Sequence, residues 1–150
     1  MEEKIKGGCL CGRVRYEANF APIWSAICFC RQCQKAAGAE CVQLVGVPAF
    51  AFSLTQGNVK FHESVADSGN KVRRGFCEAC GSHLSLIRDA YPDIVTLRTC
   101  SLDEPGAYPP QFGVFTESAQ SWTWIPTDIP TFATVPASPE ELQSRLKKSE

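Results

Sequence analysis

Two pairs of cysteines constrain this chain more than any other feature. Cys9 and Cys11 form a C-x-C pair, Cys77 and Cys80 form a C-x-x-C pair, and 65 residues lie between Cys11 and Cys77. Glycine flanks both pairs: Gly7, Gly8 and Gly12 at the first, Gly81 at the second. These spacings make awkward disulfides but natural two-point chelates, and four thiolates form the closed tetrahedral set of a structural zinc site. One ion held this way pins two distant segments together. The competing reading, unrelated buried cysteines, leaves the shared glycine context without a reason.

The second cysteine group is Cys28-Phe29-Cys30-Arg31-Gln32-Cys33, three thiols within six residues and no fourth ligand nearby. Three protein ligands with one position open is the arrangement of catalytic zinc. Two alternatives compete. Cys41, eight residues after Cys33, could close a second four-thiolate structural site. An iron–sulfur cluster is the other, but its usual four-cysteine spacings are absent. Cys100 falls inside a strand-like run and is expected to be a small buried hydrophobe.

Nine cysteines in 150 residues fall short of a disulfide scaffold. Met1 to Lys6 carries no apolar signal region, and no apolar run approaches the length of a membrane span. The expected setting is therefore a reducing cytoplasm, where such cysteines bind metal. With 15 Lys and Arg against 16 Asp and Glu, the charge balance counts against a nucleic-acid partner. The length suggests one domain. Its intrinsic stability would be roughly 7 to 22 kcal/mol, comparable with the ~10–16 kcal/mol of a structural zinc. Zinc is thus expected to decide whether the chain folds.

The residue pattern predicts a mainly β fold with two short helices. Val14, Tyr16 and Ala18 alternate with polar residues, as in a half-buried strand. Further strands are expected over Ile23–Ile27, Val42–Val47, Val59–His62, His83–Ile87 and Ile94–Leu102, with an extended Lys71–Phe76 leading to Cys77. Ala49–Leu54 is apolar but unspecific. One helix is expected over Arg31–Ala37, stopped by Gly38. A second, at about 139–147, is announced by Ser138, Pro139 and Glu141 as cap, first-turn proline and capping-box acid. The core is expected over about 5–126.

His62 and His83 are the only histidines and are expected to be surface or satisfied core residues rather than ligands. Trp122 and Trp124 are expected in the core or a pocket wall. Arg13, Arg15, Arg31, Lys35, Arg73 and Arg74 gather around the cysteine motifs. They form solvated faces or, alternatively, receive an anionic substrate.

Charge alone suggests what a three-thiolate zinc would do. Three anionic ligands blunt its Lewis acidity and its capacity to make hydroxide. Such a site favours a soft fourth ligand, the sulfur of a small thiol, which is deprotonated on the metal. That thiolate can add to, or leave from, an electrophilic carbon such as an aldehyde.

Three motifs then occur in order: Gly8-Cys9-Leu10-Cys11-Gly12 with Val14-Arg15-Tyr16; Cys28-Phe29-Cys30-Arg31-Gln32-Cys33-Gln34-Lys35-Ala36-Ala37-Gly38-Ala39; and Arg74-Gly75-Phe76-Cys77-Glu78-Ala79-Cys80-Gly81-Ser82. From about Gly7 to Trp122 the chain resembles the glutathione-dependent formaldehyde-activating enzyme family, which includes centromere protein V. The resemblance implies a β-tent of small antiparallel sheets around a structural zinc at Cys9, Cys11, Cys77 and Cys80. It implies a catalytic zinc at Cys28, Cys30 and Cys33. The implied activity is that of a carbon–sulfur lyase acting on a thiol adduct such as S-hydroxymethylglutathione, with glutathione as cosubstrate. The centromere relative suggests the alternative of a non-catalytic zinc-binding interaction module with two structural metal sites. Phe29 and Gly113 depart from the family pattern, in which histidines are common at those places, and they remove polar groups from the implied pocket.

Overall fold

Alternation builds the first sheet. In the computed structural model, which describes residues 4–148, β2 (Arg15–Ala18) turns Tyr16 and Ala18 inward, at 2 % and 0 % exposure. It lies between β1 (Ile5–Gly8) and β5 (Phe52–Gln56), both antiparallel to it. Ile5 faces Ala18, and Gly7 faces Tyr16. The second sheet has seven strands in the order β10-β3-β4-β9-β8-β7-β6. These are β3 (Trp24–Cys28), β4 (Val42–Pro48), β6 (Lys60–Val65), β7 (Lys71–Phe76), β8 (His83–Arg88), β9 (Ile94–Arg98) and β10 (Phe112–Val114). The two α-helices are α1 (Arg31–Ala37) and α2 (Pro139–Lys147). The fold is mainly β, as the residue pattern predicts. One pairing differs from the expected antiparallel rule: β10 runs parallel to β3.

The chain clusters into two units. The first comprises the described residues up to Trp24 together with Val45–Tyr108. Its core gathers Ile5, Val14, Tyr16, Ala18, Val45, Val47, Leu84, Val95, Leu97 and Leu102 around the buried sulfurs of Cys9 and Cys77. Tyr16 also makes a polar tie. Its hydroxyl donates to Ser101 Oγ at 2.6 Å, and Ser101 Oγ donates to the Arg98 carbonyl at 2.7 Å.

The second unit comprises Ser25–Leu44 and the described residues from Pro109 onward. In β3 the residues Ser25, Ala26, Ile27 and Cys28 are all buried, the mark of a strand covered on both faces. Ala26, Ile27 and Cys28 face Phe112, Gly113 and Val114 of β10. Helix α2 starts as its cap predicts: Ser138 Oγ accepts from the Glu141 N–H at 3.1 Å, and the Glu141 carboxylate accepts from the Ala137 N–H at 2.6 Å. Arg145 of α2 lies over the Phe132 ring, 4.4 Å from its centroid.

Several local expectations are corrected. Strand β9 stops at Arg98 rather than running to Leu102, and Thr99–Ser101 forms a 3₁₀ turn. The Ser101 hydroxyl bonds back to Arg98 and so competes with the sheet ladder. Cys100 is therefore exposed on a turn instead of buried in a strand. Ala49–Leu54 divides into a 3₁₀ turn, Ala49–Ala51, and the start of β5. Strand β1 departs from the sequence pattern, in which Gly7 and Gly8 suggest a turn. Gly7 instead serves packing: a Cβ there would lie 2.4 Å from Tyr16 Oη and 2.6 Å from the Ser101 carbonyl. Among the described residues no helix is long and apolar enough to cross a membrane.

Burial pushes the Tyr16 hydroxyl up to about 12, whereas an unfolded tyrosine titrates near ~10. A raised acid contributes stability that is complete below the unfolded value and lost as pH rises through the folded one. Tyr16→Phe should cost about 1–2 kcal/mol at pH 8, the price of an orphaned Ser101 partner. In urea unfolding the wild-type advantage should shrink between about pH 10 and about 12. A gap that stays constant over that range would refute the assignment.

Candidate metal centres

Two turns of the first unit meet at sulfur. Cys9 and Cys11 lie between β1 and β2, and Cys77 and Cys80 between β7 and β8. Backbone bonds shape each turn: Cys9 N–H to the Val14 carbonyl at 3.1 Å, Cys77 N–H to the Ser82 carbonyl at 3.0 Å and Gly81 N–H to the Cys77 carbonyl at 2.8 Å. Gly12 and Gly81 stand at φ 79° and 77°, a left-handed backbone that glycine adopts without a steric cost. The four sulfurs all lie within 4.8 Å of one another and could hold a metal ion. A tetrahedral ion with metal–sulfur bonds of ~2.3 Å has sulfur–sulfur edges of about 3.8 Å. The Cys9–Cys11 and Cys11–Cys77 separations are 3.5 and 3.8 Å. The donor set fits.

Hydrogen bonds prepare these sulfurs for negative charge. The Val14 N–H donates to Cys9 Sγ at 3.2 Å. The Ser82 hydroxyl lies 3.2 Å from Cys80 Sγ and accepts from the Leu10 N–H at 3.0 Å, so it bridges the two turns. The only sequence signal of Ser82 is its place two residues after Cys80. The Ser82 hydroxyl and then its backbone hold the Cys80 thiol down to about 5. Burial opposes ionisation of Cys9, but the Val14 N–H and then the Cys11 and Cys77 thiols carry it below the usual value. Cys11 goes the other way, up to about 11. The Arg13 backbone favours its thiolate, but desolvation and Cys9, Cys80 and Cys77 outweigh that. Four sulfurs in contact oppose one another's ionisation, and a shared cation would relieve that opposition.

The second group is assembled by one strand end and one helix start. Cys28 ends β3 and Cys33 lies in the first turn of α1, both 5 % exposed. Cys30 caps α1, its Sγ accepting from the Cys33 N–H at 3.3 Å, and is only half buried. The three sulfurs lie within 4.8 Å of one another and could hold a second ion. Cys30, then Cys33, then burial push the Cys28 thiol far up. Among the described residues no further His, Cys, Asp or Glu joins this group. Cys41 stays outside it, its Sγ accepting from Gln43 Nε2 at 3.9 Å.

The other candidates separate clearly. His62 is exposed and His83 half buried, and neither joins a cysteine group. Burial, then Arg98 and Arg74, lower the His83 pKa. Arg15 pairs with Asp103 through two contacts. Arg73 lies over the Phe61 ring, and the buried Arg74 donates to Ser64 Oγ at 2.9 Å. Arg31 and Lys35 belong to the unit of the three-cysteine group. Trp122 and Trp124 are 71 % and 74 % exposed, so they are not core residues. Phe29 is fully buried and therefore packs the interior instead of lining a wet pocket. A Cβ on Gly113 would meet Ile27 Cγ2 and Thr131 Cγ2 at 3.2 Å and Phe29 Cε2 at 3.5 Å. The two departures are thus neighbours, a large ring beside an absent side chain.

These features define a mainly β protein with one closed and one incomplete cysteine centre. Residues 4–118 match the family described as glutathione-dependent formaldehyde-activating enzyme, and the chain belongs to that family. A crystal structure of a Rhodobacter sphaeroides protein shares the fold, with a TM-score of 0.53 at 18 % identity, covering 65 % of this chain and 87 % of that one. No curated protein matches the chain in sequence.

Two outcomes are expected. Metal analysis should find two ions per chain, falling to one in either Cys77→Ala or Cys28→Ala, with loss from Cys77→Ala accompanied by lower thermal stability. Gly113→Val should cost about 1–3 kcal/mol from overpacking. Made in a Phe29→Ala background it should cost less, with a coupling above about 0.5 kcal/mol in a double-mutant cycle of denaturation midpoints.

Proposed function

We propose that this chain is a zinc-dependent enzyme of the carbon–sulfur lyase type, acting on a thiol adduct such as S-hydroxymethylglutathione or another glutathione conjugate. Cys9, Cys11, Cys77 and Cys80 hold a structural zinc. Cys28, Cys30 and Cys33 hold the catalytic one and take the catalytic role. The observation that carries this reading is the three-sulfur group, to which no fourth protein ligand is added among the described residues. Membership of the family supports glutathione as the thiol.

Zinc bound by three thiolates supplies modest Lewis acidity and an affinity for a fourth, deprotonated sulfur. The protein's own residues do the rest. Cys28 and Cys33 bury their sulfurs, while half-exposed Cys30 marks the side open to an incoming molecule. The Cys33 N–H fixes Cys30 Sγ and leaves it oriented before substrate arrives. In the forward sense a carbon–sulfur bond forms between the thiol and the aldehyde carbon. The carbonyl electron pair moves to oxygen, which ends with the proton that the thiol gives up. The reverse breaks the same bond, and neither direction needs an oxidant or reductant. A small thiol is the partner and the cytoplasm the setting in this reading.

Exchange NMR on formaldehyde and glutathione should show adduct formation faster with the zinc-loaded protein than without it. Cys33→Ala should lower that acceleration by about 100-fold or more, as loss of a metal-orienting group does. An acceleration that survives Cys33→Ala, or a second metal coordinated by four protein ligands, would overturn the proposal.

A further inference from the structure

Within the three-cysteine turn, Cys30-Arg31-Gln32-Cys33 is a C-x-x-C pair whose two sulfurs are unequally covered. Cys30 is half buried, whereas Cys33 is 5 % exposed. The pair is already close: the Cys33 N–H donates to Cys30 Sγ at 3.3 Å, and the sulfurs lie within 4.8 Å of one another. The backbone before Cys30 is held from two sides. The Phe29 N–H donates to the Val114 carbonyl at 3.1 Å, and the Phe29 carbonyl accepts from Gln34 Nε2 at 2.6 Å. Cys28 is fixed in the ladder opposite Val114 of β10.

An accessible sulfur beside a sheltered one is the arrangement that thiol–disulfide exchange uses. The outer thiol attacks one sulfur of a disulfide and a mixed disulfide forms, which the inner thiol then resolves. Cys30 has the access and Cys33 the shelter. Cys28 is the poorer resolver, because a C-x-C bridge closes a smaller ring on a backbone already tied into β3. Cys77 and Cys80 share the C-x-x-C spacing, but Cys9 and Cys11 crowd them and the Ser82 hydroxyl lies 3.2 Å from Cys80 Sγ. A C-x-x-C bridge is awkward as a permanent link. Strained or exposed bridges are the labile ones, which form and open as conditions change.

We propose that Cys30 and Cys33 form a reversible dithiol–disulfide couple that takes low-molecular-weight disulfides as substrates, with Cys30 the attacking residue and Cys33 the resolving one. In the first step a bond forms between Cys30 Sγ and one sulfur of the small disulfide. The S–S bond of that disulfide breaks, and the departing thiolate takes the Cys30 proton. In the second step Cys33 Sγ bonds to Cys30 Sγ, and the other small thiol leaves with the Cys33 proton. Two cysteine thiols are oxidised and one disulfide is reduced to two thiols. The oxidised turn keeps a single thiol, Cys28, and cannot hold the ion proposed above. Oxidation and metal occupancy therefore exclude one another at this turn. The exchange itself needs no metal and does not rest on the lyase reading.

The test treats zinc-loaded full-length protein with oxidised glutathione, blocks remaining thiols by alkylation and digests with trypsin. Cleavage after Arg31 separates Cys30 from Cys33, so a bridge between them leaves two peptides joined. Wild type should yield the joined pair, and dithiothreitol should dissolve it. Cys28→Ser should yield it too, which assigns the bridge to Cys30, and Cys28→Ala carries this arm if Cys28→Ser does not fold. Cys33→Ser should stop with glutathione attached to Cys30, and Cys30→Ser should give neither product. A chromophoric chelator should register one ion per chain leaving wild type as the bridge forms. A wild type without the joined pair overturns the proposal, as do a pair that survives Cys30→Ser, a pair lost in both Cys28 variants and a bridged protein that still carries two ions. Absence of the bridge leaves the lyase reading standing, since adduct formation is measured with no disulfide added. A protein that carries one ion from the start and still forms the bridge overturns the lyase reading alone.

Discussion

Repulsion between neighbouring sulfurs is the constraint on which this structure turns. Cys9, Cys11, Cys77 and Cys80 are held together by two hairpin-like turns, and the Val14 N–H already donates to Cys9 Sγ before any ion is considered. The neighbours pull apart: Ser82 favours the Cys80 thiolate, while Cys9, Cys80 and Cys77 oppose that of Cys11. A divalent ion would turn that repulsion into attraction, beside the apolar core that includes Cys9 and Cys77 themselves. The core and the chelate of the first unit are therefore one construction, and losing either exposes the other.

The two centres differ because of where their ligands come from. Two turns approaching from different hairpins can surround an ion, and Ser82 links them by bonding both Leu10 and Cys80. The second group comes from one strand end and one helix turn, Cys28 to Cys33. Three donors on so short a stretch cover one side of an ion and leave the other side uncovered by this segment. Cys41, close in sequence, does not supply the missing ligand, because its sulfur is directed toward Gln43 instead.

Spacing made the centres and both helices legible in the sequence. Cysteine motifs and helix caps are local signals, so α1 and α2 fall where Gly38, Ser138 and Glu141 place them. What escaped was decided by distant contacts. Strand β1 is hidden by Gly7, whose lack of a side chain makes room for the Tyr16 hydroxyl from the neighbouring strand. Cys100 matches a strand pattern, but Ser101 bonding back to Arg98 ends the strand first. Trp122 and Trp124 have a core composition and an exposed placement. Gln34 falls inside the second motif with no sign of its burial, since a glutamine in a short helix is ordinarily solvated; its bonds to Phe29, Ser118, Arg31 and Gln120 account for it.

Phe29 and Gly113 give the second unit its own logic. A buried ring beside a side-chain-free position gives the three-cysteine turn an apolar residue between Cys28 and Cys30. Its carbonyl, by contrast, is polar and is met by Gln34. The same residue thus anchors the turn twice, through packing below and through a hydrogen bond along the chain. Apolar surroundings lower the effective dielectric around thiolates and raise the energetic cost of leaving them without a counter-charge. That cost would fall if a cation bound, so a buried ring at position 29 is compatible with a metal at this turn.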